Sequence, residues 1–193
     1  GGVMQGVFSN PLADPGIMGV SAGASLGAVI AIALGFTSLG MFYMPAFAFV
    51  GAFVSVGITI LLTLRNNKLD TTTLLLAGVA VSMLLGAFTS GILTMINEYR
   101  LREFLFWMVG GLDFRRWDHV LLAVGPIMTG SVILMMLGRH LNVLVLGDTE
   151  ARALGVPVMV YRMLFLFLSS VITATAVCVS GSIGFVGLVV PHI

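Results

Sequence analysis

Charge is what this sequence has least of. Only 9% of its 193 residues are Asp, Glu, Lys or Arg, against about a quarter in an ordinary globular domain. The formal net charge is +1, so no basic stripe exists to neutralise phosphates, and nucleic acid is excluded as a partner. Cysteine is nearly missing too. The single Cys178 rules out an internal disulfide framework and, within its apolar run, reads as a small buried hydrophobe. His119, His140 and His192 lack ligand spacing and no carboxylates cluster in the apolar runs, so no metal site is expected. The same shortage argues against an ion- or proton-coupled carrier, which needs ionisable groups within its spans.

What is there instead is apolar. Hydrophobic residues make up 59% of the chain, and the mean hydropathy is +1.12. A surplus this large cannot be hidden in a core of this size, so lipid must cover much of it. An all-α integral membrane protein, a polytopic helical bundle, is expected. A spanning helix needs about 20 mostly apolar residues, and five windows qualify: about Ile17 to Phe36, Phe42 to Leu64, Leu74 to Ile96, Val120 to Leu137 and Val158 to Val179. Residues before Asn10 read as the end of an earlier helix, and Ile183 to Ile193 as the start of a later one. No signal peptide is visible. The chain begins with Gly, and both ends fall inside apolar segments, as expected of the middle of a longer protein.

The breaks between spans are short and polar: NPLADPG, RNNKLD, NEYRLRE with GGLDFRRWD, and GRHLNVLVLGDTEARALG. Alternating them across a bilayer puts Arg65, Lys68, Arg139, Arg152 and Arg162 on one side. Arg100, Arg102, Arg115 and Arg116 fall on the other, among Glu98, Glu103, Asp113 and Asp118. Counting Lys and Arg mildly favours the first side as cytoplasmic. In NPLADPG, Pro11 and Pro15 disfavour helix at the residue before each, while Asn10 and Asp14 favour turns and caps. Glycines at small-residue spacing (Gly19, Gly23 and Gly27, or Gly86 with Ser90) let helices approach closely in lipid. GGVMQGVFSNPLA and SGSIGFVGLVVPHI both run Gly-rich and apolar into a proline, a short match of the kind an inverted repeat leaves.

Two motifs tempt towards catalysis. Gly19-Val20-Ser21-Ala22-Gly23 fits G-x-S-x-G, but that pattern makes a nucleophile elbow only between strand and helix, with His and acid partners. Here it opens an apolar helix, which leaves an intramembrane serine hydrolase as a remote alternative. GSIGFVG has no βαβ context and is no dinucleotide loop. The loop LNVLVLGDTEARALGVPV says more. Leu146, Ala151 and Leu154 are expected to share an apolar face, with Asp148, Glu150 and Arg152 solvated. Gly147 and Gly155 would punctuate two short helices, and Pro157 would start the next span. Such a pair serves either as a solvated connector or as a docking surface for a soluble partner. Between Glu98 and Asp118, FLFWMVGG is too short to span. It is expected to lie near the surface, with Phe104, Trp107 and Met108 turned towards the other helices and Trp107 and Trp117 at interfacial depth.

The segments NPLADPGIMGVSAGA, LLLAGVAVSML, FWMVGGLDFRRWDHV, LNVLVLGDTEARALGV and GSIGFVGLVVPHI together resemble, in order and over essentially the whole chain, the FecCD-type permeases of type II ABC importers for iron–siderophore, haem and vitamin B12. The resemblance implies one transmembrane permease domain over 1–193, with a cytoplasmic coupling loop over 139–157 and a periplasmic loop carrying a short helix over 98–118. It implies a multi-pass protein of the prokaryotic plasma (inner) membrane that performs no covalent chemistry and binds no cofactor. ATP and Mg would be used by the partner ATPase, and iron(III)–siderophore is the leading cargo. Implied partners are a second permease subunit, identical or paralogous, two ATPase subunits, and a periplasmic or lipid-anchored substrate-binding protein. Roles follow by the same resemblance. Gly147, Asp148, Glu150, Ala151, Leu154 and Gly155 would contact the ATPase. Thr71 and Thr72 would form an inner gate at the two-fold axis, where N-capping of the helix is the plainer alternative. Asn10 and Leu12 would form a second constriction just below. Arg115 and Arg116 would face the binding protein, or else pair with Asp113 and Asp118.

Overall fold

The computed structural model describes residues 1–64, 69–113 and 115–193. Arg65 and Lys68, expected among the basic residues of one side, lie outside the described residues. In chain order the helices are α1 (Gly2–Phe8), α2 (Val20–Ala33), α3 (Tyr43–Thr63), α4 (Thr71–Leu93), α5 (Glu98–Val109), α6 (Trp117–Met136), α7 (Gly138–Val145), α8 (Asp148–Ala153), α9 (Val158–Ser180) and α10 (Val186–Val189). Three 3₁₀ turns, Pro15–Met18, Phe36–Leu39 and Val190–His192, interrupt them. The described residues are helical or irregular throughout, which bears out the all-α expectation.

Helix starts follow local chemistry. The Asp70 carboxylate accepts the Thr73 amide at 2.8 Å, so α4 begins three residues before the expected Leu74. Asn97 accepts the Arg100 amide at 3.0 Å and starts α5 in the same way. Pro126 sits inside α6, as transmembrane helices tolerate.

Among the described residues, four helices, α3, α4, α6 and α9, are long and apolar enough to cross a membrane. The fifth expected span, Ile17 to Phe36, is not one helix of spanning length. Gly19 takes a left-handed φ of 82° and Gly35 one of 76°, leaving α2 with 14 residues, about 21 Å at 1.5 Å each. The residues before it are irregular turns and the 3₁₀ turn Pro15–Met18. After α1, residues 9–19 fold back into the bundle, and Gly78, seven residues or about 10 Å along α4 from its start, lies against Ile17 and Met18. Protein groups satisfy this exposed backbone, as apolar surroundings demand. Asn10 Oδ1 accepts the Leu12 amide at 2.9 Å, Asp14 Oδ1 accepts the Gly16 amide at 2.7 Å, and the Thr59 hydroxyl donates to the Met18 carbonyl at 3.2 Å. The two Gly-rich segments meet here: a Cβ on Gly187 would strike the Asp14 carboxylate.

The bundle centre is the α2–α3 contact. A Cβ on Gly23 would collide with the Gly51 carbonyl, and one on Gly27 with the Phe47 carbonyl. Only glycine permits that approach, which bears out the small-residue reading for these positions. Gly86 and Ser90 instead face outward. Helix α9 packs against α3 and α6, contributing Phe165, Leu166 and Ala174 to the core. Its 23 residues separate the two ends of the bundle by about 34 Å. At the Ser180 end lies α5: Arg100 Nη1 donates to the Ala33 carbonyl at 2.8 Å, and the Gly111 amide donates to the Ser180 carbonyl at 2.7 Å. At the Val158 end lie α7 and α8.

Candidate functional site

The end carrying residues 139–157 holds a connected polar arrangement. Two short helices form there, separated by Gly147 (φ 121°) and closed by Gly155 (φ 77°), so both glycines punctuate as expected. Ala151 is fully buried, but Leu146 and Leu154 are 63% and 64% exposed. The single apolar face expected for these three residues does not form. Leu146 ends one helix and Ala151 belongs to the next, and the extended, positive-φ backbone at Gly147 (φ 121°, ψ 159°) resets the helical phase between them. Leu144 supplies the buried leucine instead. The outward surface therefore presents Leu146, Glu150 and Leu154 around a firmly seated Ala151.

Asp148 is not simply solvated. Its carboxylate receives Arg162 Nη2 at 2.6 Å and Nη1 at 3.3 Å, and Arg152 Nη2 stands 3.7 Å away. The same Arg162 Nη1 donates to the Leu69 carbonyl at 2.8 Å. The pair is lopsided, with the Arg162 side chain only 9% exposed and that of Asp148 42% exposed. Leu69, Asp70, Asp148, Arg152 and Arg162 line a cleft of about 180 Å³ between α8, α9 and the start of α4. Sequence reading set Arg162 among surface basics and missed this role. The available signal was an arginine inside an apolar span, where a charge survives only with partners.

Next to Leu69, the capping alternative for Thr71 and Thr72 is replaced by another residue. Asp70 is the cap, and it holds the hydroxyl of Thr73 at 2.7 Å as well as its amide. The Thr73 hydroxyl, then its amide, hold the Asp70 carboxyl below the ordinary carboxylate range. Thr71 is half-buried and Thr72 exposed. Asn10 is half-buried and ties down its own turn, leaving the Leu12 side chain exposed.

At the opposite end, α5 buries Phe104 and Trp107 as expected, while Met108 and Trp117 are exposed. Met108, four residues after Phe104, lies on the same side of the helix but at the edge of the buried face, 43% exposed. Arg115 Nε donates to the Gly111 carbonyl at 3.4 Å, and Arg116 is exposed. Among the described residues neither arginine forms an ion pair with Asp113 or Asp118; the surface pair here is Arg102 with Glu98 at 3.8 Å. Ser21 sits in the first turn of α2 after a 3₁₀ turn, not in a strand-to-helix elbow. His140 stacks on Tyr161 with ring centroids 4.0 Å apart.

Comparison with known proteins meets this architecture over its full length. The chain is 44% identical over 193 residues to the cobalamin import system permease protein BtuC of Halobacterium salinarum, covering 100% of this chain and 51% of that protein. It is 43% identical over 199 residues to the hemin transport system permease protein HmuU of Yersinia pestis, covering 100% and 58%. It is also 38% identical to the ABC transporter permease protein YvrB of Bacillus subtilis, covering 100% and 55%. The chain thus spans a little over half the length of these relatives. A solved structure described as an inward-facing conformation of a metal-chelate type ABC transporter superposes with a TM-score of 0.91 at 34% identity, covering 98% of this chain and 60% of that one. The family model described as the FecCD transport family matches residues 1–193, and the chain belongs to that family.

Proposed function

We propose that this chain belongs to the permease subunit of an ATP-driven type II importer for a metal chelate. One observation carries the reading: a short helix pair at one end of the bundle exposes Leu146, Glu150 and Leu154 while Arg162 clamps Asp148, the first residue of α8, to the spans behind it. An exposed apolar and acidic rim on a rigid base is what docking to a soluble partner requires. In this reading that partner is an ATPase, two copies per transporter, which uses ATP and Mg. Gly147, Asp148, Glu150, Ala151, Leu154 and Gly155 form the contact. Thr71 and Thr72, with Asn10 and Leu12 below, narrow the pathway between two permease subunits, and Arg115 and Arg116 meet the binding protein. The subunit itself binds no cofactor and works by a two-state change in helix packing, in a prokaryotic inner membrane.

Iron(III)–siderophore is the cargo expected from the family resemblance; cobalamin and haem are those named for two relatives. The test is reconstitution of the full-length permease with its ATPase and binding protein in proteoliposomes. ATP-driven uptake of one of these three chelates, at the expense of the others, is the expected result. An Ala151→Arg variant, which forces a charge into a fully buried seat, should hydrolyse ATP without moving cargo. Normal uptake at normal ATP stoichiometry in that variant would remove residues 147–155 from the coupling surface.

A further inference from the structure

We propose that Arg162 is a positioning residue that makes helix α8 and the start of α4 move as one unit, so that displacement of the 147–155 loop is delivered to Thr71 and Thr72. The inference rests on the permease reading above for its purpose, but not for its geometry. One guanidinium holds two acceptors from distant parts of the chain: the carboxylate of Asp148 on α8, and the backbone carbonyl of Leu69 at 2.8 Å. Leu69 itself is buried in the core. Its peptide leads directly to Asp70, whose carboxylate fastens the first turn of α4 through Thr73. From the carbonyl held by Arg162 to Thr71 and Thr72 there are therefore only two and three residues of chain.

The arrangement is directional. The guanidinium is packed into the wall formed by α9, whereas the Asp148 end of the pair opens to the exterior. A partner pressing on α8 acts on the open end, and the force reaches the Leu69 carbonyl through a planar group whose donors have fixed angles. Arginine suits this role because it stays charged at any accessible pH and can hold two acceptors at once. Lysine keeps the charge but is a point donor on a flexible stem. The neighbouring Arg152, at 3.7 Å and more than half exposed, belongs to α8 itself and cannot tie that helix to another element.

Hydrogen exchange read by mass spectrometry tests this on the full-length permease, alone and assembled with its ATPase. In the permease alone, Asp148→Asn and Arg162→Lys should each speed amide exchange across residues 69–75 by about tenfold, the effect of one hydrogen bond to a charged group. Asp148→Glu should restore slow exchange, and Arg152→Gln should leave it unchanged. In the assembly, Mg-ATP should alter exchange in 148–153 and 69–75 together. With Arg162→Lys the 148–153 response should persist while the 69–75 response falls about fivefold or more, the size of an ordinary coupling. Unchanged exchange at 69–75 in both variants of the lone permease would overturn the link. If wild-type 148–153 ignores Mg-ATP, the importer reading fails instead, and the lone-permease comparison still decides the link.

Discussion

At the scale of single residues, a few polar side chains do most of the local work because so few are present. Asp70 is the clearest case. It receives the Thr73 hydroxyl at 2.7 Å and the Thr73 amide at 2.8 Å, and both favour the ionised carboxylate, hydroxyl first. A carboxyl whose folded value is depressed contributes stability that is fully present above its unfolded value of about 3.9. That contribution is lost as pH falls through the folded value. The first turn of α4 should therefore hold at neutral pH and loosen only in strong acid. Asp70→Asn keeps a competent cap but removes the titrating group. Melting curves of the full-length protein in detergent between pH 7 and pH 3 should show a shallower acid-side decline for this variant. Identical slopes would mean that the Asp70 contacts are not populated in solution.

Between elements, backbone proximity decides more than side-chain size. Helices α2 and α3 approach so closely that Gly23, Gly27 and Gly51 each face the other helix's backbone. In lipid, close packing of this kind replaces the hydrophobic drive that brings helices together in water. Adding one methyl group at Gly27 must push the helices apart, since the obstacle is the Phe47 carbonyl rather than a movable side-chain tip. Overpacking of a fitted core costs about 1–3 kcal/mol, so Gly27→Ala should lower thermal stability by that order even though alanine is the better helix former. A melting temperature equal to or above wild type would show that the two helices can separate freely. The same seam restricts the start of α2. Gly19 takes its left-handed turn where a Cβ would meet the Ser55 hydroxyl, a constraint imposed by α3 and not by neighbouring residues.

Over the whole molecule, the two ends of the bundle differ in character. One end is clamped: α8 and the residue pair leading into α4 are both held by Arg162 of α9. The other carries α5 across the ends of α2 and α9, with Arg115 and Arg116 beyond it. If the second end receives an acidic binding protein, as the proposed function requires, Arg115→Glu with Arg116→Glu should weaken docking to the full-length transporter. The loss should be larger at low salt, because attraction between exposed charges is screened over about 10 Å at 0.1 M. Titration of binding protein onto reconstituted transporter, in about 0.01 M and 0.15 M salt, measures it. Equal affinity of wild type and the double variant at low salt would take both arginines out of the interface.

The amino-acid sequence by itself determined the solvent, the helix class and most of the boundaries. Bilayer thickness dictates the length of an apolar run, and short polar breaks carry the turns, so α3, α4, α6 and α9 fall within a few residues of their expected windows. Gly147 and Gly155 likewise marked two short helices, because a positive φ favours glycine wherever it occurs. Tertiary structure alone decided how closely α2 meets α3, with Gly23, Gly27 and Gly51 set against the facing backbone. It turned Leu146 and Leu154 outward by resetting the helical phase at Gly147. It also chose Arg162 as partner to Asp148, 14 residues away, and to Leu69, 93 residues away. An arginine inside an apolar span signals that partners exist, but periodicity describes one element at a time and cannot name partners that lie in others.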